Sequence, residues 1–320
     1  MLSPLVAIRS STTPPFLLLL KQGGGVNSDF FTYHFGGGVY RNAHEPITAI
    51  FQSVAHDACA AGGPPACVMD AGMNAGFYSL LFAAMGCHVT AFEVQPELVR
   101  LVTLSARLNG FETHLSIHRL AVGSGTGTAR IASSKRTFGG GVSVRTVQRE
   151  GKSDGGGATL GDESNRDDDE SVLRTASLDD LIDAQPAVCG RRLAALKLDV
   201  ESYELFALHG LRRALRSQRV DHIIFEFGGA TRWARHNQSA ENGVAALEAL
   251  ADAGYEIRLI HQRQLGTEKI LSLRGQVQNW RTGQGSYRGA VFTYSTVPRS
   301  GLRVLVLPTA DVNIWAVAKA

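Results

Sequence analysis

Residues 67–97, CVMDAGMNAGFYSLLFAAMGCHVTAFEVQPE, contain the stretch that decides the fold. An apolar strand ends in Asp70, and Gly72 and Gly76 allow a tight turn into an apolar helix. A second short strand, HVTAFE, follows and ends in Glu93. A strand, a glycine turn and a helix in this order predict a parallel sheet with crossover helices, and a helix N-terminus that faces a ligand.

The spacing of the glycines argues against a dinucleotide-binding site. The fingerprint GxGxxG needs glycine at its second and third places, to admit the pyrophosphate and to pack the helix on the strand. Counted from Gly72, those places hold Asn74 and Phe77. No GK[ST] phosphate loop follows either. A nicotinamide-dependent oxidoreductase is therefore the disfavoured alternative.

Two acids flank this turn. Asp70 lies where a carboxylate would repel a phosphate. It suits a cationic ligand, such as S-adenosylmethionine with its amino group and sulfonium. The carboxylate of S-adenosylmethionine would bind at the helix N-terminus. Glu93 lies about 20 residues beyond the turn, where an acid accepts hydrogen bonds from both ribose hydroxyls. The alternative is that both acids only cap helices.

Four segments in chain order resemble the FkbM-type family of class I S-adenosylmethionine-dependent methyltransferases: VMDAGMNAGFYSLLFA, VTAFEVQPE, TASLDDLI and LKLDVESYELFALHGL. The family pattern reads approximately DxGxNxG, AFEPxP, a leucine-Asp-Asp element and KxDxEGxE. The resemblance spans residues 65–228, includes the strand IIFEF, and would end at VNIWAVA. Val94 stands where the family has proline, which is expected to be harmless. Ser202 and Tyr203 stand where the family has glycine and a small residue, and because that glycine lies close to where the substrate approaches, the acceptor pocket is expected to differ.

The resemblance implies a Rossmann-like class I methyltransferase fold. This is an α/β fold with a seven-stranded, mostly parallel sheet and helices on both faces. The implied reaction is O-methylation of a hydroxyl on a sugar or another small molecule, with S-adenosyl-L-methionine as cofactor. A protein that keeps the fold but has lost catalysis is the alternative. The expected cofactor-binding residues are Asp70, Gly72, Asn74, Gly76, Glu93, and, in a loop beside the adenine, Ala121 and Val122.

Acids at strand ends are the candidate catalytic residues, because ligands of open α/β sheets lie beyond the carboxyl ends of the strands. Asp199 and Glu201 follow the fourth strand and share a side if the strand extends that far, and Glu226 lies near the end of the fifth. In the apolar segment IIFEF, Glu226 needs a partner or a raised pKa. One of the three would be the base or a ligand to a divalent ion, and the alternative is that they cap helices and bond loop amides. No residue pattern indicates a metal site.

The rest of the chain predicts one large domain. Residues 1–45 are expected to be irregular and residues 46–320 to form the methyltransferase domain, with a disordered insert at 134–174 that contains GDESNRDDDE. A helix is expected at 46–61, and Asp179 and Asp180 are expected to begin a helix after Ser177. Strands are expected at 67–70, 88–93, 115–121, 194–199, 222–227 and 255–260, and two of the apolar runs 290–294, 303–307 and 313–317 are expected to pair antiparallel at the sheet edge.

Composition is typical of a soluble globular protein, with 44% hydrophobic and 19% charged residues and a formal charge of +3. This nearly balanced charge does not indicate nucleic-acid binding, and the basic run 211–219 is expected to be a solvated helix face. The four cysteines suggest neither a disulfide framework nor a structural metal. FLLLL at 16–20 is too short to span a membrane.

The N-terminal segment is interpreted as a disordered leader, with an organellar transit peptide as the alternative, because residues 1–28 contain no acid. His44 and Glu45 could belong to a lid over the site. The compartment, the oligomeric state and the identity of the acceptor are not readable from the sequence.

Overall fold

The computed structural model describes residues 5–21, 39–59, 66–132, 143–147, 171–190, 192–262, 267, 270–271, 280–306 and 311–319. The strands are β1 (Leu5–Arg9), β2 (Leu17–Lys21), β3 (Cys67–Ala71), β4 (His88–Glu93), β5 (Leu115–Arg119), β6 (Ala121–Gly123), β7 (Gly127–Ala132), β8 (Ser143–Val147), β9 (Ser171–Ser177), β10 (Leu193–Leu198), β11 (Val220–Phe227), β12 (Tyr255–Ile260), β13 (Arg281–Tyr287), β14 (Ala290–Thr296) and β15 (Val312–Ala318).

The α-helices of the described residues alternate with the strands of the main sheet. They are α1 (Val39–Cys59), α2 (Phe77–Ala84), α3 (Pro96–Asn109), α4 (Leu178–Asp183), α5 (Glu204–His209), α6 (Arg212–Arg216), α7 (Ala230–Trp233) and α8 (Ala240–Asp252). Short 3₁₀ helices lie at Ala187–Cys189, Ala234–His236 and Arg299–Leu305. None of the helices in these ranges is both long enough and apolar enough to cross a membrane.

The main sheet has the order β13-β14-β12-β15-β11-β10-β3-β4-β5. Its strands β5, β4, β3, β10 and β11 are mutually parallel, and β15 runs antiparallel between β11 and β12. The predicted count of seven strands is wrong, since the sheet of the described residues has nine. The two additional strands are the hairpin β13–β14, which extends the sheet from β12.

The C-terminal strands correct a second prediction. The tail runs were expected to pair with one another, but β14 and β15 lie on opposite sides of β12 and both pair with it antiparallel. The run 303–307 falls partly in the 3₁₀ helix Arg299–Leu305 and forms no strand in its described part. All strands predicted between 67 and 260 are present, with bounds that differ by a few residues.

Both faces of the sheet are buried, as expected for parallel strands with crossover helices. Along β3, Met69 belongs to one apolar cluster and Val68 to the other, because successive side chains of a strand point to opposite faces. Phe51 of α1 and Leu98 of α3 pack in the second cluster, and Leu247 of α8 packs in the first. The site therefore stands on a rigid support.

The structure also corrects details of the helices. The helix predicted from residue 46 begins at Val39. The helix α3 ends at Asn109, where Gly110 has φ 71°, and Leu108 in its last turn is 54% exposed. The Ser177 hydroxyl accepts a hydrogen bond from the Asp180 amide at the start of α4, which confirms the predicted cap.

The N-terminal segment is not irregular throughout. β1 and β2 form an antiparallel hairpin, and the backbone of Leu17 exchanges two hydrogen bonds with the Asn109 side chain, of 2.8 and 2.7 Å. This contact attaches the hairpin to α3. The weak candidates His44 and Glu45 lie in α1, and their side chains are outside the described part of the chain.

The predicted insert at 134–174 is partly ordered. Within it, β8 pairs with β7, and β9 begins at Ser171, so both strands belong to a second sheet of order β6-β9-β7-β8. The prediction of a disordered insert is therefore wrong for these strands. The acidic run at 161–170 lies outside the described residues.

All four cysteines are in disulfides, which the sequence did not indicate. Cys59 is bonded to Cys87, and Cys67 to Cys189. The sequence separations, 28 and 122 residues, form no recognisable pattern, so only the fold brings the partners together. Closure of loops of this size stabilises a fold by about 2–4 kcal/mol each.

The basic run 211–219 is compensated within the protein. Arg213 contacts Asp180 at 2.9 Å and Asp183 at 3.1 Å, and Arg219 contacts Asp183 at 2.7 Å. These contacts join α6 and the following turn to α4. The interpretation of the run as a polar helix surface agrees with this placement.

Candidate active site

The candidate site lies where the order of the parallel strands reverses. From β3 the chain continues to β4 and β5 on one side, and from β10 it continues to β11 on the other. Asp70 pairs in register with Lys197 across β3 and β10, and Asp199 follows at the carboxyl end. In open α/β sheets the ligand binds in the crevice above such a switch point.

The glycine turn after β3 is fixed by close packing. Gly72 has φ +80°, and a Cβ there would lie 1.8 Å from the carbonyl oxygen of Asp199. Gly76 has φ +81°, and its Cβ would lie 2.5 Å from Val102 of α3. Asn74 also has a positive φ, of 53°. The glycines are therefore required for the turn to touch its neighbours, whatever ligand the turn holds.

Several amides of this turn already have protein acceptors. The N–H groups of Gly72 and Met73 both donate to the carbonyl oxygen of Phe92 at 2.9 Å, and that of Asn74 donates to Glu93. The turn after β3 is therefore attached to the end of β4. This places the glycine turn and the acid of the next strand side by side, as the sequence predicted.

Glu93 is held by three backbone donors. Its two carboxylate oxygens accept hydrogen bonds from the amides of Asn74, Val94 and Gln95, each at 2.9 Å. The residue is 6% exposed. Burial raises the pKa of its carboxyl, and these backbone bonds act in the opposite direction. The arrangement fixes the orientation of the carboxylate at the rim of the crevice.

Asp70 is compensated by the protein itself. It has no exposed surface, it accepts a 2.6 Å hydrogen bond from the Ser79 hydroxyl, and it lies 3.5 Å from the ammonium of Lys197. Its Oδ1 is buried and has no hydrogen-bond partner among the described residues, and the expected role of Asp70 toward a cationic ligand stays a prediction. Its charge holds Lys197, which was not predicted although it lies in the segment LKLD.

Lys197 joins the two halves of the site. Its ammonium donates to the carbonyl oxygen of Gly72 at 3.1 Å and lies 3.4 Å from Asp199. Burial alone would lower its pKa, but the carboxylates of Asp199 and Asp70 outweigh burial and raise it. The side chain is therefore a fixed positive charge beneath the crevice.

Ala121 and Val122 were expected in a loop, but they belong to the strand β6. They are buried and pair in register with Thr175 and Ala176 of β9. Part of their backbone is thus engaged in the second sheet. The expectation of a loop at this position is wrong, while a role beside the adenine stays a prediction.

Two of the three acids expected in catalysis, Glu201 and Glu226, meet at Arg232. The guanidinium contacts Glu201 at 3.1 Å, Glu226 at 3.2 Å and Asp311 at 2.7 Å. It also donates from Nε to the Ser202 hydroxyl at 3.2 Å. Neither Arg232 nor Asp311 was predicted. No motif marks Arg232, although it lies six residues from Glu226, and Asp311 lies 79 residues from Arg232.

The predicted need of Glu226 for a partner or a raised pKa is confirmed on both counts. Arg232 is its partner, and its carboxyl pKa is raised to about 8, chiefly by burial and then by the negative charge of Asp199. Burial and Asp199 raise the pKa of Glu201 as well. The pocket therefore contains carboxyl groups that exchange protons closer to neutral pH than ordinary acids do.

The backbone after β10 turns sharply and separates two acids that were expected to share a side. β10 ends at Leu198, and Glu201 and Ser202 then have positive φ, of 49° and 77°. The strand does not continue to Glu201, so the predicted alternation fails. Ser202 stands at the family's glycine position, and its left-handed conformation explains why glycine is the usual residue there.

Glu204 is a further residue of this site that was not predicted. The turn brings it, in place of Glu201, beside Asp199 and Glu226, and one carboxylate oxygen of each lies within 4.8 Å of the others. Glu204 has no exposed surface, and its carboxyl pKa is raised to about 7, chiefly by burial. The last acid of the segment DVESYE was the available signal.

Comparison with known proteins gives the family of the chain. No curated protein matches it. Solved structures that resemble it include a SAM-dependent methyltransferase from Agrobacterium tumefaciens, with 11% identity, a TM-score of 0.42, and 98% of this chain and 70% of that chain covered. Magnesium protoporphyrin IX methyltransferase (ChlM) from Synechocystis PCC 6803, a structure with bound SAM, has 12% identity, a TM-score of 0.39 and 92% coverage of both chains.

A model of the methyltransferase FkbM domain matches residues 70–257, which is more than half of the chain. The match includes the glycine turn, Glu93, the acids that follow β10, and Glu226 near the end of β11. The protein therefore belongs to the FkbM methyltransferase domain family.

Proposed function

We propose that the protein is an S-adenosylmethionine-dependent O-methyltransferase that acts on a hydroxyl of a sugar or another small molecule. The observation that carries the proposal is the placement of Glu93. A buried carboxylate, oriented by three amides at the end of the strand next to the glycine turn, is suited to accept hydrogen bonds from two ribose hydroxyls.

The remaining cofactor residues support this arrangement in different ways. Gly72, Asn74 and Gly76 shape the turn, through their positive φ, so that the chain can pass close to the donor. Asp70 acts through Lys197 and Ser79 and keeps the turn in position. Ala121 and Val122 would line the adenine side. The crevice between β3 and β10 then directs the methyl group toward the acids beyond β10 and β11.

The chemistry requires little covalent help from the protein. The acceptor oxygen forms a bond to the methyl carbon, the bond from that carbon to sulfur breaks, and S-adenosylhomocysteine leaves. The proton of the acceptor hydroxyl passes to a carboxylate of the pocket. Asp199, Glu201 and Glu226 are the proposed catalytic residues, because all three lie at this edge and are partly exposed.

Calorimetric titration with S-adenosylmethionine, S-adenosylhomocysteine and NADH tests the donor. We expect the two sulfur nucleosides to bind and NADH to give no heat. Binding of NADH alone would overturn the proposal in favour of an oxidoreductase. A screen of sugars and small alcohols, read by mass spectrometry for one added methyl group, then tests the acceptor. Donor binding without transfer to any hydroxyl would favour a non-catalytic binding protein.

A further inference from the structure

Three carboxylates from three separate elements converge at the acceptor side of the site. Asp199 follows β10, Glu204 begins α5, and Glu226 lies near the end of β11. One oxygen from each lies within 4.8 Å of the other two. Like charges held so close repel one another unless a cation or protons lie between them.

An independent feature of Glu204 points to a missing partner. One of its oxygens accepts a hydrogen bond from the Ser202 amide at 3.0 Å. The other, Oε2, is buried and has no hydrogen-bond partner among the described residues. A carboxylate oxygen removed from water and left unpaired is costly, so an atom that the protein does not supply is expected beside it.

Two of the three carboxylates, Asp199 and Glu226, also contact a cation of the protein, which each shares with other acids. Lys197 lies against Asp70 and Asp199, and Arg232 lies against Glu201, Glu226 and Asp311. Among the ion pairs of the described residues, none includes Glu204. Acids therefore outnumber bases around this pocket, and of the three converging carboxylates Glu204 is the one without a cationic partner among the described residues.

The distances decide which ions fit. Two oxygens bound to one ion are separated by at most about 4.2 Å for Mg²⁺ and by about 4.6–5.2 Å for Ca²⁺. The upper limit of 4.8 Å lies within the span of two opposite oxygens on Ca²⁺ and above that on Mg²⁺, so the smaller ion requires the side chains to approach one another. The ligands are all carboxylates, which hard cations prefer, and the cysteines are engaged in disulfides.

We propose that Asp199, Glu204 and Glu226 bind a divalent cation of the oxygen-liganded class, such as Mg²⁺, Mn²⁺ or Ca²⁺. The ion would neutralise the three carboxylates and satisfy Oε2 of Glu204. A pocket that stays metal-free and instead holds protons on its carboxyls is the competing explanation. The proposal concerns this chain's own residues and does not require that the methyl donor bind.

The test is calorimetric titration of the full-length protein, stripped with EDTA and dialysed, with MgCl₂, MnCl₂ and CaCl₂ in turn. Paramagnetic resonance of Mn²⁺ gives an independent count of bound ions. We expect one site per chain, and at least a tenfold loss of affinity in Glu204→Gln. The matched variant Glu201→Gln removes a neighbouring charge outside the cluster and should change the affinity less than threefold.

The outcomes separate the cation from the proposed function. Absence of binding up to millimolar ion, or equal affinity in Glu204→Gln and the unaltered protein, would overturn the cation site. If Glu204→Gln does not fold, Asp199→Asn at the more exposed edge of the cluster must show the same loss, or the site is rejected. Titration of the stripped protein with S-adenosylhomocysteine reports the donor site by itself, so either proposal can fail alone.

Discussion

The acids on the two sides of the crevice are neutralised by different means. On the cofactor side, Glu93 is fixed by three backbone amides and Asp70 by a hydroxyl and an ammonium. On the acceptor side, Arg232 is shared by three carboxylates, and Glu204 keeps one oxygen without a partner. Backbone donors cannot move away, whereas shared side chains can redistribute their contacts.

This difference suits the two tasks. A site that binds the same nucleoside in every cycle gains from acids whose geometry never changes. In the proposed reaction, a site that removes a proton gains from acids whose charge can change. The crevice thus has a rigid half, which contains Glu93 and Asp70, and an adjustable half, which contains the acids around Arg232 and whose carboxyl groups can gain or lose protons. Lys197 and Gly72 join the two halves.

The largest expected effect is that of Gly72→Ala, at the junction of the halves. Its Cβ would lie 1.8 Å from the Asp199 carbonyl oxygen, which no side-chain movement relieves. We expect a loss of unfolding free energy above about 4 kcal/mol, measured by urea denaturation. Gly110→Ala is the control, since Gly110 also has a positive φ, +71°, with nothing within 4 Å, and it should lose only about 1–2 kcal/mol. Similar losses in both variants would mean that φ alone explains the effect.

Glu93→Gln should weaken binding of S-adenosylhomocysteine by about 2–4 kcal/mol. The change removes the charge that strengthens bonds to the ribose, and it replaces one acceptor of backbone amides with a donor. Calorimetry gives the affinity, and circular dichroism shows whether the fold is kept. Glu112→Gln, at an exposed glutamate, is the control. An unchanged affinity would reject the ribose assignment.

The adjustable half should make stability depend on pH in metal-free buffer. The carboxyl pKa values of Glu226 and Glu204 are raised to about 8 and about 7, from 4.5. The folded protein therefore keeps protons that the unfolded chain releases, and the unfolding free energy should fall as pH rises from 4.5 to about 8. We expect a fall of about 1–3 kcal/mol, measured by urea denaturation with EDTA. Glu226→Gln should reduce this slope, and an identical slope would contradict the assignment.

The smallest effect concerns Ser202, the left-handed residue of the acceptor half. Ser202→Gly removes the conformational strain of φ 77° but also the hydrogen bond from Arg232. The relief of strain and the loss of the hydrogen bond should have nearly equal and opposite effects on the unfolding free energy. Ser202→Ala loses the hydrogen bond and keeps the strain, so it should be less stable than Ser202→Gly by about 1 kcal/mol. Equal stability of the two variants in thermal denaturation would show that the turn is not strained.

The cofactor half was predictable because its residues are close in the chain. The turn, Glu93 and the cap at Ser177 all depend on local patterns, namely strand ends, glycines and a hydroxyl before a helix. The inner strands were also predictable, because each is marked by a local run of apolar residues. Of the additional hairpin, β14 was expected from the apolar run 290–294, whereas β13 was missed because its sequence, RTGQGSY, is mostly polar and exposed.

The acceptor half was only partly predictable, because its contacts join distant residues. Arg232 lies 79 residues from Asp311, and no local pattern relates the two. Glu204 was passed over in favour of Glu201, since strand alternation was assumed where the backbone in fact turns with positive φ. A residue's neighbours across a sharp turn follow from three-dimensional packing and not from spacing.

The disulfides have a consequence for how the protein is made. Both lie at the amino edge of the sheet, with Cys67 at the start of β3 and Cys87 just before β4, opposite the crevice. Disulfides form and persist where the surroundings are oxidising. A host secretory route or an oxidising expression strain should therefore give a higher yield of native protein than a reducing cytosol. A cysteine introduced at the crevice would then be the protein's single reactive thiol and could carry a fluorescent reporter.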